Sequence, residues 1–346
     1  MTVYTFDPLQ DQRWCDLVER HPLGSVFHTT AWLRALQHTY GYEPIVFTTS
    51  APGTTLEDGV AFCHVNSWLT GNRLVSLPFS DHCEPLVSNP TAFQEISTHV
   101  DRVRRDRNWD YVEFRPRTNR FHSEWSTTVT ERYWFHQLDL RPSEQSLYAA
   151  LHKDSTQRKI RRADREGLEY SDGSGESELS ALYQLVVMTR RRHQLLPQPL
   201  SWFRNLAATF AGAMKIRVAS HRGRPVAAIV TLRHGDTMVY KYGASNAEFH
   251  SLGGMHLLFW RTIQEARASG CATLDMGRCD IDNHGLARFK ERWGAARSEI
   301  TYWRHGDTSV ISALRRHALT GGRQLLDHAP GACRVAVGRF LYRHAG

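Results

Sequence analysis

The chain has 346 residues, 41% of them apolar by type, with a formal net charge of +8 and a pI near 9.3. That length exceeds what one hydrophobic core usually serves, so two domains are expected, and the basic balance favours phosphates, nucleic acid or an anionic membrane surface without choosing among them. No run approaches the roughly 18 apolar residues of a membrane span, the opening "MTVYTFDPLQ" lacks a signal-peptide layout, and six scattered cysteines without a C-x-x-C pair argue against a zinc ribbon or a disulfide framework and fit a reducing cytoplasm.

In chain order, "TTAWLRALQHTYG" reads as a helix, "GVAFCHVNS" and "RLVSLPFSDHC" as strands, "TAFQEISTHVDRVRRDRNW" as a helix and "DYVEFRPR" as a strand. "STQRKIRRADREGLEY" follows as a short helix, capped by Asp154 or Ser155, ended by Gly167, with Ile160 and Ala163 turned inward. Arg158, Arg161, Arg162 and Arg165 fall at i, i+3, i+4 and i+7 and make one stripe. Two readings of that stripe stand: a grip on a polyanion, or a solvated face with Arg162 pairing Glu166. Further on, "SELSALYQLVVMTRRRHQL" and "PLSWFRNLAATFAG" read as helices and "PVAAIVTLRHGDTMVYKYGAS" as a hairpin around "HGD". "GGMHLLFWRTIQEARASG" then reads as a helix and "CATLDMGRC" as a strand.

One order of elements thus occurs twice. "FSDHC" maps onto "YGASN" at a shift of 163 residues and "VEFR" onto "LDMG" at 162, which indicates two copies of one α/β unit. The expected architecture is α/β, with two tandem domains of mixed, mainly antiparallel sheets flanked by helices, at 1–150 and 151–304, and a basic helical tail at 305–346. From Arg304 onward, seven arginines face only Asp307 and Asp327, interleaved with leucine, valine and phenylalanine. Such a tail either packs on the second domain or rests on an anionic membrane.

Taken in order, "RKIRRADREG", "LYQLVVMTRRRHQL", "YKYGAS", "LDMGR" and "GLARFKERWGA" resemble the Fem-type transferases of the GNAT acyltransferase superfamily, over about Val26 to Trp303. The resemblance implies tandem GNAT-like domains that move an acyl group to an amine. The donor is acyl-CoA or aminoacyl-tRNA as co-substrate, with no metal and no permanently bound cofactor. The implied acceptor is a small-molecule or glycan-linked amine of cell-envelope or polysaccharide chemistry.

Candidate residues follow from both sources. Lys290 resembles the family's F-K-x-x-[FW]-G lysine, implied to sit beside the oxyanion of the tetrahedral intermediate; without the resemblance it reads as a surface lysine on a helix whose buried stripe is Phe289 and Trp293. Phe289 is also a candidate substrate contact. Arg192 matches the arginine of the family's T-x-x-R pattern, implied to face acceptor phosphates, whereas Arg190 and Arg191 point elsewhere on the helix and read as solvated. Strand alternation puts Tyr240 and Tyr242 on one side of their strand; Tyr242 is the candidate to hold or protonate a substrate group, Tyr240 a contact or a core residue, and Gly243 with Ala244 would leave room for an acyl group. "HSLGGMH" occupies the place of the GNAT pyrophosphate loop, offering His250, Gly253 and Gly254, although only Gly253 fits that pattern. Asp275 is a candidate base for the amine. Arg278 is a candidate contact or an internal counter-charge for Asp280 and Asp282, and the spacing of these acids is not that of a calcium loop. Asp81 and His82, with Glu84, are expected to line the first domain's cleft; Cys83 and His82 point to opposite faces of a strand and make a poor nucleophile–base pair. Glu113 and Arg115 read either as cleft residues or as a buried ion pair.

The expectation is an N-acyltransferase of the cytoplasm, peripheral at the inner face of the membrane through its tail, with tRNA as a candidate partner. The competing expectation is a nucleic-acid-binding protein that kept the fold and lost the chemistry.

Overall fold

Short apolar alternations and well-capped amphipathic helices build two units in the computed structural model, which describes residues 2–306, 331–344 and 346. The chain divides at Arg132/Tyr133 and at Glu299/Ile300. Residues 133–150, expected in the first domain, therefore belong to the second unit. The reason is pairing, because β6 (Thr128–Asp139) continues past the division as the neighbour of a strand of the second unit.

In the first unit the strands run in the order β1 (Tyr4–Phe6), β2 (Glu43–Thr48), β3 (Val60–Ser67), β4 (Gly71–Val75), β5 (Tyr111–Phe114) and β12 (Ala296–Gly306). Every neighbouring pair is antiparallel except β4 and β5. The helix between those two, α3 (Pro90–Asp106), is capped by Asn89 with Pro90 in its first turn, and its face of Phe93, Ile96 and Val100 packs with Phe47, Phe62, Phe114 and Trp303. Two earlier helices, α1 (Gln12–Arg20) and α2 (Thr30–Tyr40), are capped by Asp11 and Thr29.

The second unit repeats the plan. Its strands run β6, β11 (Thr273–Asp280), β10 (Thr237–Ser245), β9 (Arg224–His234), β8 (Met214–His221) and β7 (Glu169–Gly173), and only β10 and β11 are parallel. In the first unit the parallel pair ends at Val75 opposite Glu113, and in the second at Val239 opposite Asp275. The expected repeat is thus a repeat of pairing as well as of order. Helices α4 (Glu144–Ala150), α5 (Arg158–Arg165), α6 (Glu176–Arg192), α7 (Leu200–Phe210), α8 (Gly254–Ala268) and α9 (His284–Glu291) complete it.

Two expectations change here. The basic helix α5 is entered through a wide π-type turn, Lys153–Gln157, and the side chain of His152, not of Asp154 or Ser155, accepts the orphan N–H of Ser155. The tail's described helix, α10 (Gly331–Tyr342), rests on the first unit: Tyr42 donates its hydroxyl proton to the carbonyls of Tyr342 and Arg343, and Arg73 donates to the carbonyl of His344 at 3.1 Å. Arg315, Arg316 and Arg323 lie outside the described residues.

The fit of α8 against α5 and β9 requires two glycines. Gly253 has a φ of +85°, and a Cβ there would meet the carbonyl oxygen of Lys159 at 2.4 Å; at Gly254 it would meet Val226 and Ala227 at 3.1 and 3.2 Å. Replacing Gly253 by alanine combines backbone strain with overlap against main chain and should cost about 1–3 kcal/mol. Gly254→Ala needs only a small shift of side chains and should cost about 1 kcal/mol or less. Urea unfolding of the two variants checks both values, and an equal loss would sink the assignment.

Candidate active site

Parallel pairing of β10 and β11 stops at Val239–Asp275, although β10 runs on to Ser245 along β9 and β11 to Asp280 along β6. The two strands therefore part in mid-sheet. Each is irregular at that point: the β10–β9 register shifts between Tyr240 and Tyr242, and the β11–β6 register shifts between Asp275 and Arg278. Gly277 supplies the positive φ, +71°, that the second bulge demands.

The bulge at Lys241 overturns the expectation that both tyrosines share a side. Tyr240 packs on Phe259 of α8, with burial raising its hydroxyl pKa, whereas Tyr242 packs on Phe203 of α7 and accepts a hydrogen bond from Trp202 Nε1 at 2.8 Å. The space expected over Gly243 is also filled. A Cβ there would fall 1.9 Å from the Tyr240 hydroxyl oxygen and 3.2 Å from Met255 Cε, so this glycine seats a tyrosine.

The β11 bulge is braced from two sides. Asp275, 1% exposed, accepts the amide proton of Gly277 on Oδ1 at 2.7 Å. Lys290, 2% exposed, donates from Nζ to the carbonyl oxygens of Gly277 at 2.8 Å and Arg278 at 3.0 Å. The surface-lysine reading of Lys290 does not hold. Its helix is started by Asn283, whose side chain accepts from Leu286 N, and is held by the aromatic stripe, Phe289 and buried Trp293, against Phe259 and His256. Burial, then the charges of Lys159 and Arg292, lower the His256 pKa to about 3. Half-buried Arg278 lays its guanidinium 3.8 Å from the centre of the Tyr133 ring.

A residue that sequence reading missed lies beside this brace. His136 of β6 stands in the register opposite the bulge, between Phe135, which pairs with Arg278, and Gln137, which pairs with Asp275. Its ring is fully buried, and neither nitrogen has a hydrogen-bond partner among the described residues. Burial, then the positive charges of Lys290 and Arg297, lower its pKa to about 4. In "YWFHQLD" nothing but an inward position in the alternation could have signalled it.

At the far end of β10 a second group gathers. Thr189 Oγ1 donates to the Ser245 carbonyl at 3.1 Å and accepts from Ser245 N at 2.9 Å, while Arg192 Nη1 donates to the same carbonyl at 3.1 Å. The T-x-x-R spacing thus clamps the end of the strand. Arg192 also reaches His250 Nε2 at 3.4 Å, and Ser245 Oγ lies 2.9 Å from that nitrogen. Burial, Arg192 and Lys159 together push the His250 pKa below its ordinary range. Arg192 is exposed, as are Arg158, Arg161 and Arg165 on α5; Arg162 pairs with Glu166 at 3.1 Å.

In the first unit the expected cleft residues are mostly interior. His82 is 4% exposed, edge-on to Phe27; buried Glu84 accepts the amides of Arg117 and Thr118; and the Asp81 carbonyl accepts from Tyr302. Cys83 lies 3.3 Å from His28, not paired with His82, and burial pushes its thiol up to about 12. Glu113 pairs with both Arg115 at 2.7 Å and Arg304 at 2.6 Å. Among the described residues no group of three or more His, Cys, Asp or Glu side chains is placed to hold a metal ion.

Comparison with known proteins bears on the fold and on the relatives of the chain. Residues 152–291 match the family model of the acetyltransferase (GNAT) domain. A UDP-N-acetylmuramoylpentapeptide-lysine N(6)-alanyltransferase of Weissella viridescens is 29% identical over 96 residues, which is 28% of this chain and 29% of that protein's length. The crystal structure of FemX aligns with a TM-score of 0.71 at 13% identity, covering 91% of this chain and 99% of that one. A tandem GNAT protein from the clavulanic acid biosynthesis pathway aligns at 0.56 and 11% identity, over 88% and 98%.

The depressed pKa of His136 has a stability consequence. The folded protein takes up this proton only below about 4, whereas the unfolded chain takes it up below its ordinary 6.5, so the contribution is complete above 6.5 and is lost as pH falls toward 4. His136→Leu should therefore lose less of its urea midpoint than the parent between pH 6.5 and 4.5. It should also be no less stable at pH 7, because two unpaired buried nitrogens are removed. Parallel loss in both proteins would sink the assignment.

Proposed function

We propose that this chain, homologous to the Fem-type transferases and carrying a GNAT acyltransferase fold, is an N-acyltransferase whose acyl-transfer site is the opening between β10 and β11. The observation that carries this reading is the buried Lys290 held under the β11 bulge beside Asp275. The acceptor is a primary amine of a peptidoglycan precursor or a related glycan-linked molecule, and the chain works in the cytoplasm, with peripheral membrane contact.

Transfer proceeds by direct attack of a neutral amine on the acyl carbonyl. The carbonyl oxygen gains negative charge, and the fixed ammonium of Lys290, in surroundings of low dielectric, stabilises it. Two of its N–H groups are committed to the Gly277 and Arg278 carbonyls, so the cation cannot swing away and needs little reorganisation as the charge develops. Asp275 or a water takes the proton from the amine, and collapse of the tetrahedral intermediate expels the donor's leaving oxygen. Tyr242, Arg278 and Phe289 are the candidate substrate contacts in this reading, and Arg192 offers a fork to an anionic group of the acceptor.

For the donor we favour aminoacyl-tRNA. Gly253 and Gly254 are accounted for by the packing of α8 on α5 and β9, without a pyrophosphate, and His250 is engaged with Ser245 and Arg192. The exposed arginines of α5 supply the positive surface that a tRNA backbone requires. An acyl-CoA donor is the arm against which this is tested.

Lys290→Ala should lower turnover by about 10²–10³-fold, and should cost about 1–3 kcal/mol of stability because two buried carbonyls lose their donor. Turnover is read by mass spectrometry of the acylated amine, with far-UV circular dichroism as the folding control. Unchanged turnover in the folded variant would remove the mechanism. Saturable transfer from acetyl-CoA but not from aminoacyl-tRNA would overturn the donor and leave the transferase reading in place.

A further inference from the structure

The two most exposed large apolar side chains among the described residues touch one another. Trp68, 77% exposed, sits just beyond the end of β3, and Phe340, 50% exposed, lies on α10; their ring centres are 6.5 Å apart. The His344 ring leans on both, at 5.7 Å from Trp68 and 5.3 Å from Phe340. Single exposed rings are ordinary on protein surfaces, but a contiguous aromatic patch built from two remote segments is not.

The patch is firmly backed. Ser67 Oγ lies 2.9 Å from His344 Nδ1, Thr70 Oγ1 donates to the His344 carbonyl at 2.6 Å, and Arg73 holds the same carbonyl. Solvent exposure of the rings is therefore not the result of a loose end. Arg339 and Arg343 are exposed on either side of Phe340 in the chain, Arg343 just past the end of the helix. Neither residues 331–346 nor the β3–β4 turn, 67–73, contains an aspartate or glutamate; the Asp110 carboxylate accepts from Asn72 N within that turn, and the charges carried by the two segments themselves are positive.

We propose that Trp68, Phe340, Arg339 and Arg343 form a docking surface for the headgroup layer of an anionic lipid bilayer. Aromatic rings are at home at the level of the headgroups, and arginines pair with lipid phosphate there. A nucleic acid also offers phosphate, but the rings are tilted to one another by 47° and 72° and do not present the flat parallel platform on which bases stack. The proposal rests on the peripheral membrane contact stated above and is independent of the transfer chemistry.

The test is co-sedimentation of the full chain with vesicles of phosphatidylcholine alone and of phosphatidylcholine with phosphatidylglycerol. Binding is expected only to the anionic vesicles and should weaken as salt rises. The double variant Trp68→Ala/Phe340→Ala should bind about tenfold more weakly, and Arg339→Gln and Arg343→Gln about fivefold each, all with the parent's unfolding midpoint, since these side chains face solvent. Parent-like vesicle binding by the variants would overturn the surface while leaving membrane contact standing. Failure of the parent to bind anionic vesicles would overturn both. If the variants instead lose binding to RNA, or a dimer of the parent, the surface serves another partner and the lipid assignment falls.

Discussion

A parallel strand pair that must open in mid-sheet needs something to hold it open, and here that is the bulge of β11. Without it the strand would continue its ladder with β10 past Asp275, and no opening would exist. Gly277 permits the turn, Asp275 satisfies its amide, and Lys290 satisfies the two carbonyls that the turn aims at α9. An ammonium at 2% exposure is tolerable only with such partners. The aromatic block of Phe259, Phe289 and Trp293 has its place in the same device, because it fixes α9 at the distance from which the lysine reaches the bulge. Geometry and charge are delivered by one arrangement.

The first unit shows what the same scaffold becomes without it. Glu113 holds the place on β5 that Asp275 holds on β11, at the end of the parallel pairing. Glu113 is instead locked between Arg115 and Arg304, with the latter's guanidinium 4.8 Å from the Tyr111 ring centre. A buried carboxylate paired on both oxygens is tied to the interior, because removing either partner would leave an uncompensated charge. Divergence of the two copies is thus visible as a choice between a salt-locked strand end in the first unit and a braced bulge in the second.

Much of this was legible in the sequence because it depends on local periodicity. The order of helices and strands, the hairpin around "HGD", the two-copy plan and the stripe of Phe289 and Trp293 each rest on spacing within one element. What escaped depends on interruption of spacing. Alternation assumes an unbroken strand, so the bulge at Lys241, which turns Tyr240 toward α8 and Tyr242 toward α7, could not be read from "VYKYGAS". Gly243, read as room for an acyl group, seats a tyrosine hydroxyl, and Gly253, read as part of a phosphate loop, is also required by a helix carbonyl, since a glycine looks the same whether it makes room for a ligand or for protein. His136 was invisible for a third reason: its setting is created by burial and by Lys290 and Arg297, both more than a hundred residues away in the chain.

The end of β10 follows a different electrostatic logic from the bulge. At the bulge the positive charge is buried and held by two carbonyls. Near Ser245 it is exposed, and its effect is registered by a neighbour: Arg192 and Lys159 help burial hold His250 below its ordinary range. Neutralising either of those charges would relieve part of that push, because a nearby positive charge disfavours the protonated ring. The lysine's charge is thus fixed by its partners, while the proton affinity of the histidine depends on the charges around it.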